Sequence, residues 1–190
     1  MSSGELTDEA LVIETLTNKE TFSYIIERYE PKLRRYLSRI TNVSAADIDD
    51  LLQETFIKAY TNLNSFDASF PFSSWMYRIA RNVAISEYRK RKVRPEALII
   101  DSDDVMLYLK DETDIERELV GEELKTALAN VIPCLREEYR EVIVLKYFED
   151  KSYDEMSDIM MKPPGTIATL LSRAKKELKE RLQAQEHTQL

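Results

Sequence analysis

Glycine is scarce in this chain: 190 residues contain only three. Neither a glycine-rich phosphate loop nor a dinucleotide fingerprint of spaced glycines has room to form. Cysteine is scarcer, at one residue (Cys134), so an internal disulfide is excluded and a reducing, cytoplasmic setting is expected. Histidine also occurs once, as His187 in a polar tail. With Cys134 and His187 as the only soft ligands, a structural zinc site is excluded as well. No apolar run approaches the roughly 20 residues of a membrane helix. The opening MSSGELTDEA lacks the basic and apolar parts of a signal peptide. These absences point to a soluble, intracellular protein with no metal, no cofactor and no membrane insertion. No internal repeat or low-complexity segment is present.

What the chain does have is helical periodicity. Hydrophobic residues make up 43% of it and charged residues 33%, enough for real cores, and long 3.6-residue patterns with few glycines predict an all-α fold. Residues 1–92 read as a first helical domain with helices over Asp8–Leu16, Lys19–Ile40 (bent at Pro31), Ala45–Leu63 and Phe72–Lys92. Residues 93–115 read as a flexible acidic linker with a helical turn near Val105–Lys110. Residues 116–183 read as a second domain with helices over Glu116–Val131, Arg136–Phe148, Tyr153–Met160 and Pro164–Gln183. Residues 184–190 form a short tail.

The net charge of −8 is unevenly spread. Six basic residues stand against Glu87 between Ser74 and Lys92, and five against Glu177 and Glu180 between Ser172 and Arg181. Val93–Glu118 carries nine acids against three bases. Two basic islands around an acidic middle can face phosphate while net acidity keeps affinity for random DNA low. The linker is expected to order only on a partner.

The segment Lys151–Leu182 carries the sharpest motif. Ser152 and Glu155 have capping-box spacing, Met156, Ile159 and Met160 form an apolar face, and Met161-Lys162-Pro163-Pro164-Gly165 breaks the helix. Pro164 suits the first turn of the next helix. There Ile167, Leu171, Ala174 and Leu178 recur at helical spacing, leaving Thr166, Thr169, Ser172, Arg173 and Lys176 outward. A helix-turn-helix looks like this, its outer face offering small polar and cationic groups to a DNA groove. A plain helical hairpin with a solvated basic face has the same spacing.

Three N-terminal features go beyond helix formation. Asp47, Asp50 and Glu54 lie along one side of a helix whose other side is Ile48, Leu51, Leu52 and Thr55. Acids near a helix start are favoured by the macrodipole alone, so spacing by itself reads as a solvated face. The loop SFDASFPFSSW (Ser65–Trp75) packs three phenylalanines and a tryptophan between helices, equipment either for capping a core or for stacking on unpaired bases. The helix from Trp75 to Lys90 sets Trp75, Ile79, Val83 and Ser86 against Arg78, Arg81, Asn82, Tyr88 and Arg89. Basic and aromatic residues interleaved in this way suit melted DNA.

DIDDLLQETFIKAY, then SFPFSSWMYRIARNVAISEYRKRK, then SYDEMSDIMMKPPGTIATLLSRAKKEL resemble, in that order, the extracytoplasmic-function (ECF, group IV) sigma factors of bacterial RNA polymerase. The resemblance runs from about Glu20 to Leu182. It implies two helical domains, σ2 and σ4, joined by a flexible linker. It also implies that Asp49, Asp50, Leu51, Gln53, Glu54 and Phe56 dock on the polymerase β′ clamp. Ser65, Phe66, Phe72, Arg78, Asn82, Tyr88 and Arg89 would bind the −10 element. Thr166, Thr169, Ser172, Arg173 and Lys176 would bind the −35 element, with the β flap nearby. An anti-sigma factor is a further implied partner. The chain departs from the pattern at Ala168 and Leu170, where the family commonly has basic residues, and at Met161, where it has a turn glycine. Fewer cations imply a gentler salt dependence at −35, and Leu170 is left for a partner surface.

Two other classes remain. A stand-alone helix-turn-helix regulator would need a dimer interface or sensor domain, and neither is apparent. An enzyme using Asp49, Asp50 and Glu54 as metal ligands would lack a histidine or lysine to complete its site, so no catalytic residue is assigned.

Overall fold

The computed structural model describes residues 6–93 and 131–188. Among these lie seven α-helices: α1 Asp8–Thr17, α2 Phe22–Ile40, α3 Ala45–Asn62, α4 Phe72–Val93, α5 Glu137–Tyr147, α6 Tyr153–Met160 and α7 Pro164–Thr188. No residue of the described segments is in a strand. The acidic linker beyond Val93, its expected turn at Val105–Lys110 and nearly all of the helix expected at Glu116–Val131 lie outside the described residues.

Helix starts follow from local capping. Thr7 caps α1 by accepting from the Ala10 N–H at 3.2 Å, and Ser44 forms a capping box with Asp47 at the head of α3. Asp47 is thus committed to its own helix start, which removes it from the acidic face predicted for α3. The expected Ser152–Glu155 box heads α6, with Glu155 accepting the Ser152 N–H at 2.9 Å. Burial pushes the Glu155 carboxyl up, but this hydrogen bond and Lys151 outweigh it and hold the pKa below the ordinary value. The Lys19–Ile40 helix divides in two: Lys19–Thr21 is a 3-10 turn capped by Asn18, and α2 follows with Pro31 exposed inside it.

The N-terminal core is built from the inner faces of α1 to α4, with Leu11, Ile25, Leu33, Ile48 and Met76 almost fully buried. The C-terminal core joins α5 to α6 and α7 through Val142, Leu145, Met156, Ile159, Ile167 and Ala174. Leu170, reserved by sequence for a partner, is 9% exposed and belongs to this core. Its position beside Ile167 and Leu171 widens the apolar stripe of α7.

The two domains pack on each other, α5 against α2 and α6 along α4. The seam is polar. Glu141 on α5, 7% exposed, accepts from the Tyr36 hydroxyl at 3.1 Å and from Arg81 Nε at 2.5 Å. Glu149 accepts from the Tyr77 hydroxyl at 2.6 Å and from Arg39 at 3.2 Å. Arg140 donates to Asn42 at 3.0 Å, and Lys151 to Ser73 at 3.0 Å while lying over the Tyr77 ring. Burial, with Glu141 beside Tyr36 and Glu149 beside Tyr77, raises both phenols well above their ordinary value.

Met161 ends α6 in the left-handed region (φ 53°) and is 70% exposed. A side chain there costs about 1–2 kcal/mol that glycine avoids, partly offset by glycine's greater unfolded-state freedom. Met161→Gly is therefore expected to stabilise by under 1 kcal/mol or so, read as a Tm rise of a few degrees by calorimetry.

The seam makes a pH prediction. Its phenols stay protonated when packed but ionise near pH 10 once exposed. The phenols' contribution to domain packing is therefore fully present below about pH 10 and is lost as pH rises above it. Small-angle scattering should show the radius of gyration growing over that range. Glu141→Ala, which leaves Arg81 buried without its anion, should produce the same expansion at neutral pH.

Candidate nucleic-acid interface

The first surface is the outer stripe of α3. Asp50 and Gln53 are exposed, Asp49 bonds Arg34 at 2.5 Å, and Glu54 pairs with Lys58 at 2.7 Å. Arg34 also holds Glu30 at 2.9 Å; burial lowers its pKa, but the two carboxylates outweigh this and raise it. Leu51 and Phe56, expected at the polymerase interface, are 4% and 8% exposed and line the N-terminal core. The resemblance brought them in because the motif interleaves inward and outward positions. Sequence reasoning missed Ile57, which is 56% exposed and follows Asp50 and Glu54 up the same stripe. Its signal was available: a large apolar residue seven positions after Asp50, off the core face.

The second surface is the aromatic loop with α4. Phe66, Phe72 and Trp75 form one cluster, with Phe66 and Phe72 edge to face at 5.1 Å and Phe72 and Trp75 stacked at 5.5 Å. Tyr29 adds its edge to Phe72 at 5.6 Å. Phe72 is 1% exposed, so this ring, expected at the −10 element, caps the core instead, and Phe66 is partly buried with it. Phe70 is 48% exposed at the loop tip. Asp67 sets the turn by accepting the Ser69 N–H at 2.9 Å, a bond that lowers its pKa. Ser65 is exposed, its hydroxyl donated to the Asn62 carbonyl at 2.7 Å.

Along α4, Asn82 and Arg89 are exposed and Arg78 is half-buried, all on one face by helical spacing. The adjacent face, Ser73, Tyr77 and Arg81, is the one gripped by the C-terminal domain. Tyr88 is 51% exposed, and its hydroxyl bonds Glu137 of α5, which raises its pKa.

The third surface is α7. Thr166, Thr169, Ser172, Arg173 and Lys176 are all exposed, as is Ala168. Thr169 donates its hydroxyl to the Gly165 carbonyl at 2.9 Å, which leaves its lone pairs for an incoming donor. Among the described residues no cluster of three or more His, Cys, Asp or Glu could hold a metal ion. None of their helices is long and apolar enough to cross a membrane.

Two family models match successive parts of the chain. Residues 25–94 match Sigma-70 region 2 and residues 125–178 match Sigma-70, region 4. The ECF RNA polymerase sigma-E factor of Haemophilus influenzae is 34% identical, covering 94% of this chain and 97% of its own. The ECF RNA polymerase sigma factor SigW of Bacillus subtilis is 32% identical over 87% of this chain and 90% of its own. The structure is similar to the sigma factor RpoE, solved in complex with the anti-sigma factor NepR from Bartonella quintana. That likeness has a TM-score of 0.64 and 25% identity, over 85% of this chain and 96% of that one. CnrH, solved with the cytosolic domain of CnrY, shares the fold at a TM-score of 0.66 and 22% identity, over 93% of this chain and 97% of its own. With its region 2 and region 4 domains and relatives matched over nearly the whole chain, this protein belongs to the ECF sigma factors, which direct RNA polymerase to promoters.

Proposed function

We propose that the three outward surfaces divide the work of promoter opening. The stripe of Asp49, Asp50, Gln53, Glu54 and Ile57 on α3 docks on the β′ clamp of core polymerase. An acidic stripe around one exposed apolar side chain suits a basic coiled coil, the apolar residue supplying the dry centre and the acids a polar rim. Phe70 with Arg78, Asn82 and Arg89 takes the unpaired −10 strand: the ring stacks on a base, Asn82 bonds a base edge, and the arginines hold phosphates. The outer face of α7 enters the major groove of the −35 duplex. An anti-sigma factor covers these surfaces when transcription is not required, and the protein works in the cytoplasm as a non-enzymatic subunit.

The observation that carries this reading is the separation of roles on α4, where the melted-DNA face and the domain-packing face are neighbouring stripes of one helix. It also sets a geometric requirement. The centres of the −10 and −35 elements are about 25 base pairs apart, roughly 85 Å of duplex at 3.4 Å per step. Helices in contact, as α4 and α6 are, lie only about 8–10 Å apart. Engagement of both elements therefore requires the domains to part, and binding to core polymerase is the step that parts them.

Run-off transcription with core polymerase, with and without this protein, tests the whole reading and separates it from a stand-alone regulator, which would give no transcript of its own. Asp50→Lys with Glu54→Lys is expected to leave the fold intact and to weaken co-purification with core by tenfold or more, about 1.4 kcal/mol or greater. Ile57→Asp should do the same. Variants that saturate core at wild-type concentration would remove α3 from the interface. Asn82→Ala should lower the permanganate reactivity of the −10 thymines while leaving closed-complex binding near wild type. Normal melting with weakened duplex binding would show that Asn82 acts elsewhere.

A further inference from the structure

A cleft of about 570 Å³ opens between the start of α5 and the flank of α7. Arg136 and Tyr139 form one wall, and Arg173, Lys176, Glu177 and Arg181 are among the residues of the other. Two of these cations are already committed. Arg181 is bonded to Glu177 at 2.8 Å, and Lys176 reaches Glu180 at 3.9 Å. Arg136 and Arg173 form no ion pair among the described residues, and both are exposed. Arg136 is nonetheless held in place. It donates to the Tyr139 hydroxyl and lies over that ring with 4.3 Å to its centroid. Tyr139 itself is 7% exposed, so the platform is rigid. The cleft therefore presents two guanidinium groups from opposite walls, one of them pre-positioned by an aromatic stack and neither ion-paired among the described residues, while its acids Glu177 and Glu180 pair with Arg181 and Lys176.

The cleft is continuous with the outer face of α7, because Arg173 and Lys176 belong to both. A major groove about 12 Å wide that receives that face is bordered by sugar-phosphate backbone. We propose that Arg136 is a DNA-backbone contact of the −35 interface, supplied from the head of α5 outside the helix-turn-helix, and that Arg136 and Arg173 each grip a separate phosphate bordering the groove occupied by α7. Guanidinium groups suit this role, since each can bond two phosphate oxygens at once. The contact carries no sequence information and sets register and orientation. It also supplies charge that Ala168 and Leu170 do not. The inference rests on the −35 reading of α7.

The test is the salt dependence of promoter binding by the holoenzyme formed with core polymerase. Each phosphate contact contributes about 0.9 to the slope of log K against log salt. Arg136→Ala is expected to lower that slope by about 0.9 and to weaken binding equally on promoters that differ in their −35 letters. Arg136→Lys keeps the charge and should retain most of the slope. Arg136→Ala with Arg173→Ala should lower the slope by about 1.8. An unchanged slope in Arg136→Ala overturns the inference. So does an unchanged slope accompanied by weaker core binding, which would assign the cleft to an acidic protein surface. Loss of slope in both Arg136→Ala and Arg136→Lys, together with a lowered Tm, would mean that Arg136 only supports the fold, and overturns it too. Absence of run-off transcription with the wild-type chain would instead refute the promoter reading, a result separate from all of these.

Discussion

Glu141 and Glu149 hold the closed arrangement together, and the accessibility of the rest depends on them. Each carboxylate lies at the seam between the domains and takes one phenol and one arginine from the N-terminal half. Buried ion pairs of this sort add little net stability, because desolvation offsets most of the attraction. Removing one partner is costly, however, because the other remains buried and unpaired. Such a seam is specific without being permanent: once parted, its carboxylates, guanidinium groups and hydroxyls are groups that water solvates well. An apolar seam of the same extent would resist opening and would expose a sticky face when opened. A protein that must change the distance between its domains is better served by the polar kind.

The same logic separates inner from outer residues on each functional helix. On α3, Ile48, Leu52 and Ala59 bury while Asp50, Gln53 and Ile57 face out. On α7, Ile167, Leu171 and Ala174 bury while Thr169, Ser172 and Lys176 face out. On α4 there are three faces. Met76, Ala80 and Val83 serve the core, Ser73, Tyr77 and Arg81 meet the other domain, and Asn82 and Arg89 remain at the surface. Core formation thus orients the outward residues, which need no contact of their own to be positioned.

Much of this was legible in the chain because helical period is a local signal. The bounds of α4 and α6 and the start of α7 follow directly from caps, prolines and apolar spacing, and so does the exposed set from Thr166 to Lys176. What was not legible depends on distance in sequence. Arg81 meets Glu141 across 60 residues and Arg39 meets Glu149 across 110, and no spacing rule links such positions. The burial of Leu51, Phe56 and Phe72 is hidden in the sequence for another reason. A motif is a run of consecutive residues, and assigning the whole run to an interface ignores that a helix turns part of it inward. Leu170 shows the reverse, since an apolar residue at the edge of a stripe can fall on either side until the neighbouring helix is known. Met161 departs from the glycine that the resemblance implies there, and its left-handed φ shows what the departure costs.

The charge balance is resolved by the same accounting of partners. A net charge of −8 suggests poor affinity for DNA only if the acids are free to repel it. Many are not. Asp8 bonds Arg28 and Tyr29, Asp47 and Glu155 cap helices, and Glu141 and Glu149 are held in the seam. On α3, Asp50 remains exposed beside Asp49 and Glu54, which are bound on the surface to Arg34 and Lys58. Among the described residues, by contrast, the cations without acid partners include Arg173 and Arg136 on one side of the C-terminal domain. Potential at a surface is set by the charges nearest it, since screening removes those beyond about 10 Å at ordinary ionic strength. An acidic chain can therefore carry a cationic reading face, because the acids that set its net charge lie outside the range that matters at that face.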